Sequence, residues 1–230
     1  MAIGKGTPWG RPVDGPVELV VAGDDADLAH ALRARPHPFD DAIRVAWSPA
    51  RGADFARAVG LTEDGGELGS LELPCDLMRV VVGERADDDL LAVNMVVVGV
   101  APDQQRRLTR RHAVRVDVDG RTVHDGPACG VVVANGQHHG GADVVPRGHP
   151  GDGRIETQIY DVPRNERAGM RARLATGTHV PHPGIRQVPG TVVELTVTGR
   201  PAPIEIDRLR RGRTNHVRIT VVAGALVLVV

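Results

Sequence analysis

The stretch VVVANGQHHGGADVVPRGHPGDGRIETQIY, Val131 to Tyr160, constrains the fold more than any other part of the chain. It reads as an apolar strand, a tight glycine turn carrying Asn135 and Gly136, a second glycine pair at Gly140 and Gly141, and then Asp152 and Gly153 leading into another strand. Runs of the same kind lie on either side of it. Leu77 to Val82, Leu91 to Val98, Ala113 to Val118, Thr191 to Thr198, Ile204 to Ile206 and His216 to Val230 are apolar or alternating and are separated by turn signals such as DVDGRT. That spacing predicts an antiparallel sandwich, with Arg164 to Leu174 as the one helix interrupting it.

The N-terminal quarter has a different pattern. Pro16 to Ala22 reads as a strand and Asp24 to Arg35 as a helix with an acidic start. Ala42 to Trp47 is strand-like again, Ser48 to Ala53 is a loop, and Asp54 to Val59 opens a helix that stops at Gly60. Two strand-helix units in sequence predict a small parallel α/β lobe. Gly65, Gly66 and Gly69 mark a soft boundary near residues 62 to 70.

Composition excludes several function classes. Lys plus Arg (28) nearly balances Asp plus Glu (29), so there is no global basic field for nucleic acid or an anionic membrane, and aromatic content of 2% leaves few platforms for stacking bases. Cys75 and Cys129 lack the C-x-x-C spacing of a redox pair or half a zinc site, and reduced thiols in a cytoplasmic chain are the reading they favour. The N-terminus lacks the apolar core of a signal peptide. The dense apolar run AGALVLVV at the C-terminus is too short to span a bilayer and reads as a closing strand.

The order N-G-x-x-x-G-G, Pro, and a late D-G before a strand resembles the C-terminal half of the diacylglycerol kinase-like lipid kinases. These belong with the NAD kinases in one superfamily. Three further stretches carry the likeness. VVAGDDADLAHAL stands where the family has G-G-D-G-T, keeping Gly23 and Asp24. SPARGADFARAVGL is similar to P-x-G-T-G-N-D-F-A-R-x-L-G, keeping Gly52, Asp54, Phe55, Ala56, Arg57 and Gly60. CDLMRVVVGERADDDLLAVNMVVVG places Asp76, Asn94 and Gly99 on the family's pattern at the start of the β lobe.

The resemblance implies ATP as phosphoryl donor, Mg²⁺, and a lipid alcohol such as diacylglycerol as acceptor. Gly23, Asp24, Arg51, Gly52 and Asp54 would lie near the nucleotide, where loop glycines let N–H groups close on phosphates. Asp152 would hold a structural Mg²⁺, although an Asp-Gly turn without metal fits the same residues. Asp207, in IEIDRLRRG, stands where the family has the Asp of D-G-E and would be the general base.

The departures are equally specific. Asp25 and Ala26 replace Gly and Thr in the first loop, Ala50 and Ala53 replace Gly and Asn in the second, and Arg208 and Leu209 follow Asp207 in place of Gly and Glu. Arg51, in place of Thr, offers a new phosphate contact. A carboxylate at position 25, about 4 Å from a phosphate, would cost on the order of 4 kcal/mol at an effective dielectric of about 20, roughly a thousandfold in affinity. Asp24, Asp25 and Asp27 also read simply as caps of a surface helix.

The family's helical insertion after Gly99 is replaced by APDQQRRLTRRHAV. Its Arg106, Arg107, Arg110 and Arg111 read first as a solvated charged loop and second as a contact for lipid phosphate or an anionic membrane. The pairs His138 with His139 and His179 with His182 lack the clustered carboxylates or thiols of a transition-metal site. There is no G-x-S-x-G elbow and no Walker sequence.

The expected fold is therefore α+β in two lobes: a reduced, Rossmann-like nucleotide-binding α/β lobe over residues 1–65, shortened at its N-terminal side, and a larger antiparallel β-sandwich lobe over 66–230. The expected function is that of a diacylglycerol kinase-like protein with a degenerate active site and weakened or lost transfer. The alternative is a non-catalytic lipid-binding or partner-binding module on the kinase fold. Peripheral membrane contact is expected, as is a homodimer through an exposed edge strand such as the one ending at Val230. No nucleic-acid partner is expected.

Overall fold

A computed structural model describes residues 10–35, 38–61, 71–83 and 89–230. The boundary expected near residues 62 to 70 lies outside the described residues. The chain begins with β1 (Arg11–Pro12), β2 (Leu19–Gly23), α1 (Asp25–Arg33), β3 (Ile43–Pro49) and α2 (Asp54–Ala58). β2 and β3 run parallel, with Gly23 opposite Pro49. There follow β4 (Leu71–Val82), β5 (Leu90–Ala92), β6 (Met95–Gly99), β7 (His112–Val118), β8 (Arg121–Ala128) and β9 (Gly130–Ala134). The rest comprises β10 (His138–His139), β11 (Ala142–Asp143), β12 (Ile155–Tyr160), α3 (Arg167–Arg173), β13 (Ile185–Gly190), β14 (Val192–Thr198), β15 (Ala202–Ile206), β16 (Leu209–Thr214) and β17 (His216–Val229).

These strands form two large sheets. One runs β1-β4-β17-β14-β7-β8, with β3 and β2 continuing beside β17 and β5 on β4; the other runs β13-β12-β9-β6-β15-β16. Val116, Leu195 and Ile219 of the first sheet pack with Val133, Ile159 and Ile204 of the second in one core. The fold is thus the β-sandwich-rich α+β class that the sequence implies. The outer face of the second sheet is covered as well, because Val97 and Val132 pack with Met170 and Leu174 around α3. Burial on both faces explains why β6 and β9 read MVVVG and GVVVA without alternation.

Two expectations are corrected. The run Leu91 to Val98 is two strands, β5 in one sheet and β6 in the other. The chain crosses between sheets there because the N–H groups of Val93, Asn94 and Met95 turn to the Asp207 carboxylate instead of a ladder. The strand ending at Val230 is not an exposed edge: β17 is flanked by β4 on one side and by β14 and β3 on the other. Leu226 and Leu228 are fully buried in the α/β core with Leu28, Trp47 and Phe55, so the apolar tail is satisfied inside the molecule.

Candidate functional site

The carboxyl ends of parallel strands are where an α/β sheet places ligand-binding loops. At that edge the Ala50 N–H donates to the Gly23 carbonyl at 2.8 Å and ties the two loops together. Asp24 caps α1. Its carboxylate accepts the Ala26 N–H at 2.9 Å and the Asp27 N–H at 3.1 Å, while the Asp27 carboxylate accepts the Asp24 N–H at 3.0 Å. A Cβ on Gly23 would lie 2.1 Å from that Asp27 carboxylate, so the glycine makes room for a capping side chain.

Asp25 neither faces the loop opening nor caps its own helix, the two readings its sequence position allows. It is 3% exposed and points inward. Both its oxygens accept the Phe55 N–H, at 3.1 and 3.0 Å, and one accepts from Asn94 Nδ2 at 3.1 Å. Ala53, the residue at the N-cap of α2, has no capping side chain, and Asp25 supplies the missing acceptor from another helix. Burial, followed by the nearby Asp207 charge, pushes its carboxyl up to about 8. Helical periodicity carries this signal: Asp25, Leu28, Ala29 and Leu32 share the buried face of α1.

Asp54 is also buried, and its carboxylate accepts the N–H of Gly140 at 2.6 Å and of Gly141 at 2.8 Å. Both glycines have positive φ, 59° and 78°, which aims consecutive N–H groups at one anion. Arg57 completes the clamp by donating to the Gly141 carbonyl at 2.9 Å. Phe55 is fully buried, 6.1 Å from the Trp47 ring between centroids. The D-F-A-R motif therefore fastens α2 to the β10-β11 hairpin. Arg208 approaches Asp54 to 3.9 Å from the other side.

Asp207 lies beneath this junction, 3% exposed at a φ of 46°. Its two oxygens accept three backbone N–H groups, from Val93 at 2.9 Å, Asn94 at 3.0 Å and Met95 at 2.9 Å. Burial raises its carboxyl to about 6 against the pull of those bonds. Asn94 also donates to the His138 carbonyl at 3.0 Å, and Asn135 donates to the carbonyls of Asp76 at 2.7 Å and Val93 at 2.9 Å. Asn94 thus ties α1 to the β10-β11 hairpin, and Asn135 ties β4 to the crossing between β5 and β6.

Arg51 and Gly52 sit on the exposed loop before α2, where Gly52 has a φ of 79° and open space in front of it. Asp152 is remote from the Asp25, Asp54 and Asp207 set in its hydrogen bonding. It is exposed, and one oxygen accepts the Arg154 N–H at 3.0 Å. Beside it, Asp76 accepts the N–H of Gly153 at 2.7 Å and of Gly224 at 2.8 Å, and its carboxyl is raised by burial with a contribution from the Asp152 charge. Among the described residues no group of three His, Cys, Asp or Glu is arranged to hold a metal. An exposed carboxylate oxygen beside a second carboxyl fits Mg²⁺ in its usual form, with few protein ligands and several retained waters.

The sequence reading weighed His139 only as a metal ligand beside His138 and missed its carboxylate partners. It is buried, with Nε2 2.6 Å from Glu205 and Nδ1 3.4 Å from Asp103. Burial lowers its basicity, but the two carboxylates prevail and hold it at about 9.

The family described as the YegS C-terminal NAD kinase beta sandwich-like domain matches residues 79–230. The chain belongs to this family. Among solved structures, a diacylglycerol kinase from Bacillus anthracis str. Sterne superposes with a TM-score of 0.69 at 15% identity, covering 92% of this chain and 76% of that one. A second Bacillus anthracis structure gives a TM-score of 0.71 at 14% identity over 92% and 78%. Yeast NADH kinase complexed with NADH gives 0.53 at 11% over 92% and 62%. At such identities the likeness is one of fold. No curated protein matches the sequence. Diacylglycerol kinase-like and NAD kinase-like folds generally use ATP and Mg²⁺. Among the described residues of this YegS-type chain, no helix is long and apolar enough to cross a membrane.

Proposed function

We propose that this chain is a diacylglycerol kinase-like lipid-binding protein in which phosphoryl transfer from ATP is strongly weakened or lost. One observation carries the reading: at the loop edge of β2 and β3, the chain's own carboxylates already occupy the helix N-termini. Phosphates bind such ends through free N–H donors. Here Asp24 takes those of Ala26 and Asp27, and Asp25 takes that of Phe55. A nucleotide phosphate at this edge would have to displace Asp24, and would find the Phe55 N–H already taken from within the molecule by Asp25. For the lipid, an open groove of about 530 Å³ beside Gly140 and Gly141 is walled by Ala142, Ala168, Ala172 and Leu174, with Asp103 and Arg171 as polar groups.

A second reading retains slow transfer. Gly23, Asp24, Arg51, Gly52 and Asp54 would face the nucleotide, Asp152 would hold Mg²⁺, and Asp207 would take the proton of a lipid hydroxyl. Its support is the Asp207 carboxyl at about 6, a suitable value for a base near neutral pH.

The deciding assay is transfer of labelled phosphate from ATP with Mg²⁺ to diacylglycerol in mixed micelles, comparing the native chain with Asp207→Asn. Thermal melting with ATP runs in parallel. The expected result is no transfer and no ATP-dependent rise in melting. Transfer that disappears in the variant would overturn the first reading in favour of the second.

A further inference from the structure

Among the described residues, two exposed large hydrophobic side chains lie on or beside β2: Val20 is 77% exposed and Val17 40%. Isolated exposed valines are ordinary. These two, however, stand at an open sheet edge, because β2 pairs with β3 on one side and with no described strand on the other. Such an edge presents a row of free N–H and C=O groups, and proteins commonly blunt it with charge, proline, a bulge or a very short strand.

The other described edges carry those devices. β8 contains Arg121 and Pro127 and shifts register against β7, β13 contains Pro189, and β16 contains three arginines and pairs with β15 across an irregularity. β1, β5, β10 and β11 are two or three residues long. β2 reads LVVAG, with neither charge nor proline, and its register with β3 is continuous.

Strand geometry fixes which groups are open. The Glu18 N–H donates to the Arg44 carbonyl of β3 at 2.9 Å, so Glu18, Val20 and Ala22 turn their backbone groups toward β3 while Leu19 and Val21 turn theirs outward. The side chains alternate the other way. Leu19 and Val21 pack into the core that holds Leu28 and Leu32 of α1, and Val20 and Ala22 stand exposed on the opposite face. Glu18 is already matched: it pairs with Arg35 at 2.9 Å and accepts the Arg44 N–H at 3.2 Å.

We propose that two copies of this chain pair through β2, antiparallel about a two-fold axis at Val20. A two-fold contact uses one patch twice, so the strand has to complement itself. With the axis at Val20, the two Val20 side chains meet as a non-hydrogen-bonded pair. Leu19 of each copy then lies opposite Val21 of the other, and these residues exchange the N–H and C=O groups that β3 leaves open. Glu18 lies opposite Ala22. Moving the axis to Val21 would set Glu18 opposite Asp24, two carboxylates, and moving it to Leu19 would set Glu18 opposite Val20, so charge and polarity select the Val20 register. The contact is small, and the dimer it makes is reversible. It depends on neither ATP nor lipid.

The test is sedimentation velocity of the full chain over a wide concentration range, with disulfide trapping beside it. A reversible monomer-dimer equilibrium is expected. Val20→Glu, which sets two carboxylates opposite each other, should weaken it about tenfold or more. Val20→Thr should retain it, and both variants should leave the melting of the dilute monomer unchanged, because position 20 is exposed. In the Val20→Cys variant the paired Cα atoms would lie about 4.5 Å apart, within disulfide reach, whereas Ala22→Cys on the same face would hold its thiols about 13 Å apart. Cys75 and Cys129 are buried and do not compete. Mild oxidation should therefore cross-link the variant at position 20 and spare the one at position 22. A monomer at every concentration, a dimer that Val20→Glu does not weaken, or equal cross-linking at the two positions would overturn the proposal.

Discussion

Asp25 and Phe55 are joined across the α/β lobe: both carboxyl oxygens of Asp25 accept the Phe55 N–H, at 3.1 and 3.0 Å, so one helix caps the next. The cap requires a buried carboxyl whose pKa is pushed up to about 8, first by burial and then by the Asp207 charge. The folded state therefore binds a proton that the unfolded chain, near 3.8, releases. This stability is fully present below the unfolded value and is lost as pH rises toward about 8.

Asp25→Asn keeps an acceptor for Phe55 and removes the charge. Asn94 Oδ1, a buried acceptor with no protein partner, offers the new amide a partner on a side chain already in contact. The variant should match the native chain in acid and exceed it by roughly 2–4 kcal/mol at about pH 9. Urea unfolding across the pH range measures this; a native curve that rises into alkali would contradict it.

The Asp54 clamp gives a prediction with two sides. Asp54→Ala leaves the N–H groups of Gly140 and Gly141 without their acceptor and should cost about 2–4 kcal/mol. Gly141→Ala keeps the acceptor but imposes a Cβ at a φ of 78°, and should cost about 1–2 kcal/mol. Hydrogen exchange should show faster amides at 138–143 in both variants, with β7 and β14 unchanged.

Most of the sandwich was legible because its central strands are buried: GVVVA and VVELTVT announce themselves as strands. Besides the two-residue strands β1, β10 and β11, periodicity did not reveal β8, β13 and β16, which stand at sheet edges, where RTVHDGPA, IRQVPG and LRRGRT carry little apolar pattern. The motifs single out candidate residues but not the contacts those residues make. Asp24, Asp54 and Asp207 were found by motif, yet their backbone partners at Ala26, Gly140 and Asn94 depend on chain packing that no local spacing encodes. Neither a phosphate-facing Asp25 nor an Asp25 capping a surface helix describes its place, because the helical period puts it on the buried face of α1.

Arg167 should act as a rigid post for the loop over residues 106–109. Lysine keeps the charge but cannot reproduce a planar fork reaching three carbonyls and Val162. Arg167→Lys should cost about 1–3 kcal/mol by leaving the Val162 carbonyl and the half-buried loop carbonyls short of a donor. Exchange at Leu108 and Thr109 should rise well beyond the change in global stability, which distinguishes loss of the post from general loosening.

The Asp152 turn makes a metal prediction independent of catalysis. Mg²⁺ held beside Asp152 and Asp76 would relieve the repulsion that contributes to raising the Asp76 carboxyl. Melting temperature should therefore rise saturably with Mg²⁺ and fall back with chelator. Asp152→Asn should abolish the response while leaving the metal-free melt within about 0.5 kcal/mol, since its Oδ1 acceptor for Arg154 is retained.

His139 gives the opposite pH dependence to a histidine buried in its neutral form. Asp103 and Glu205 overcome its burial and hold the ring charged up to about 9. Because the folded value is raised, this bridge contributes in full below about 6.5, the ordinary histidine value, and is lost as pH rises through about 9. The C–H resonances of the ring should titrate near that upper value. Glu205→Gln should move the midpoint down by about one pH unit or more and weaken the chain by about 1–3 kcal/mol near neutral pH. A midpoint near the ordinary histidine value in the native chain would mean that the bridge between the loop and β15 is carried by neutral hydrogen bonds.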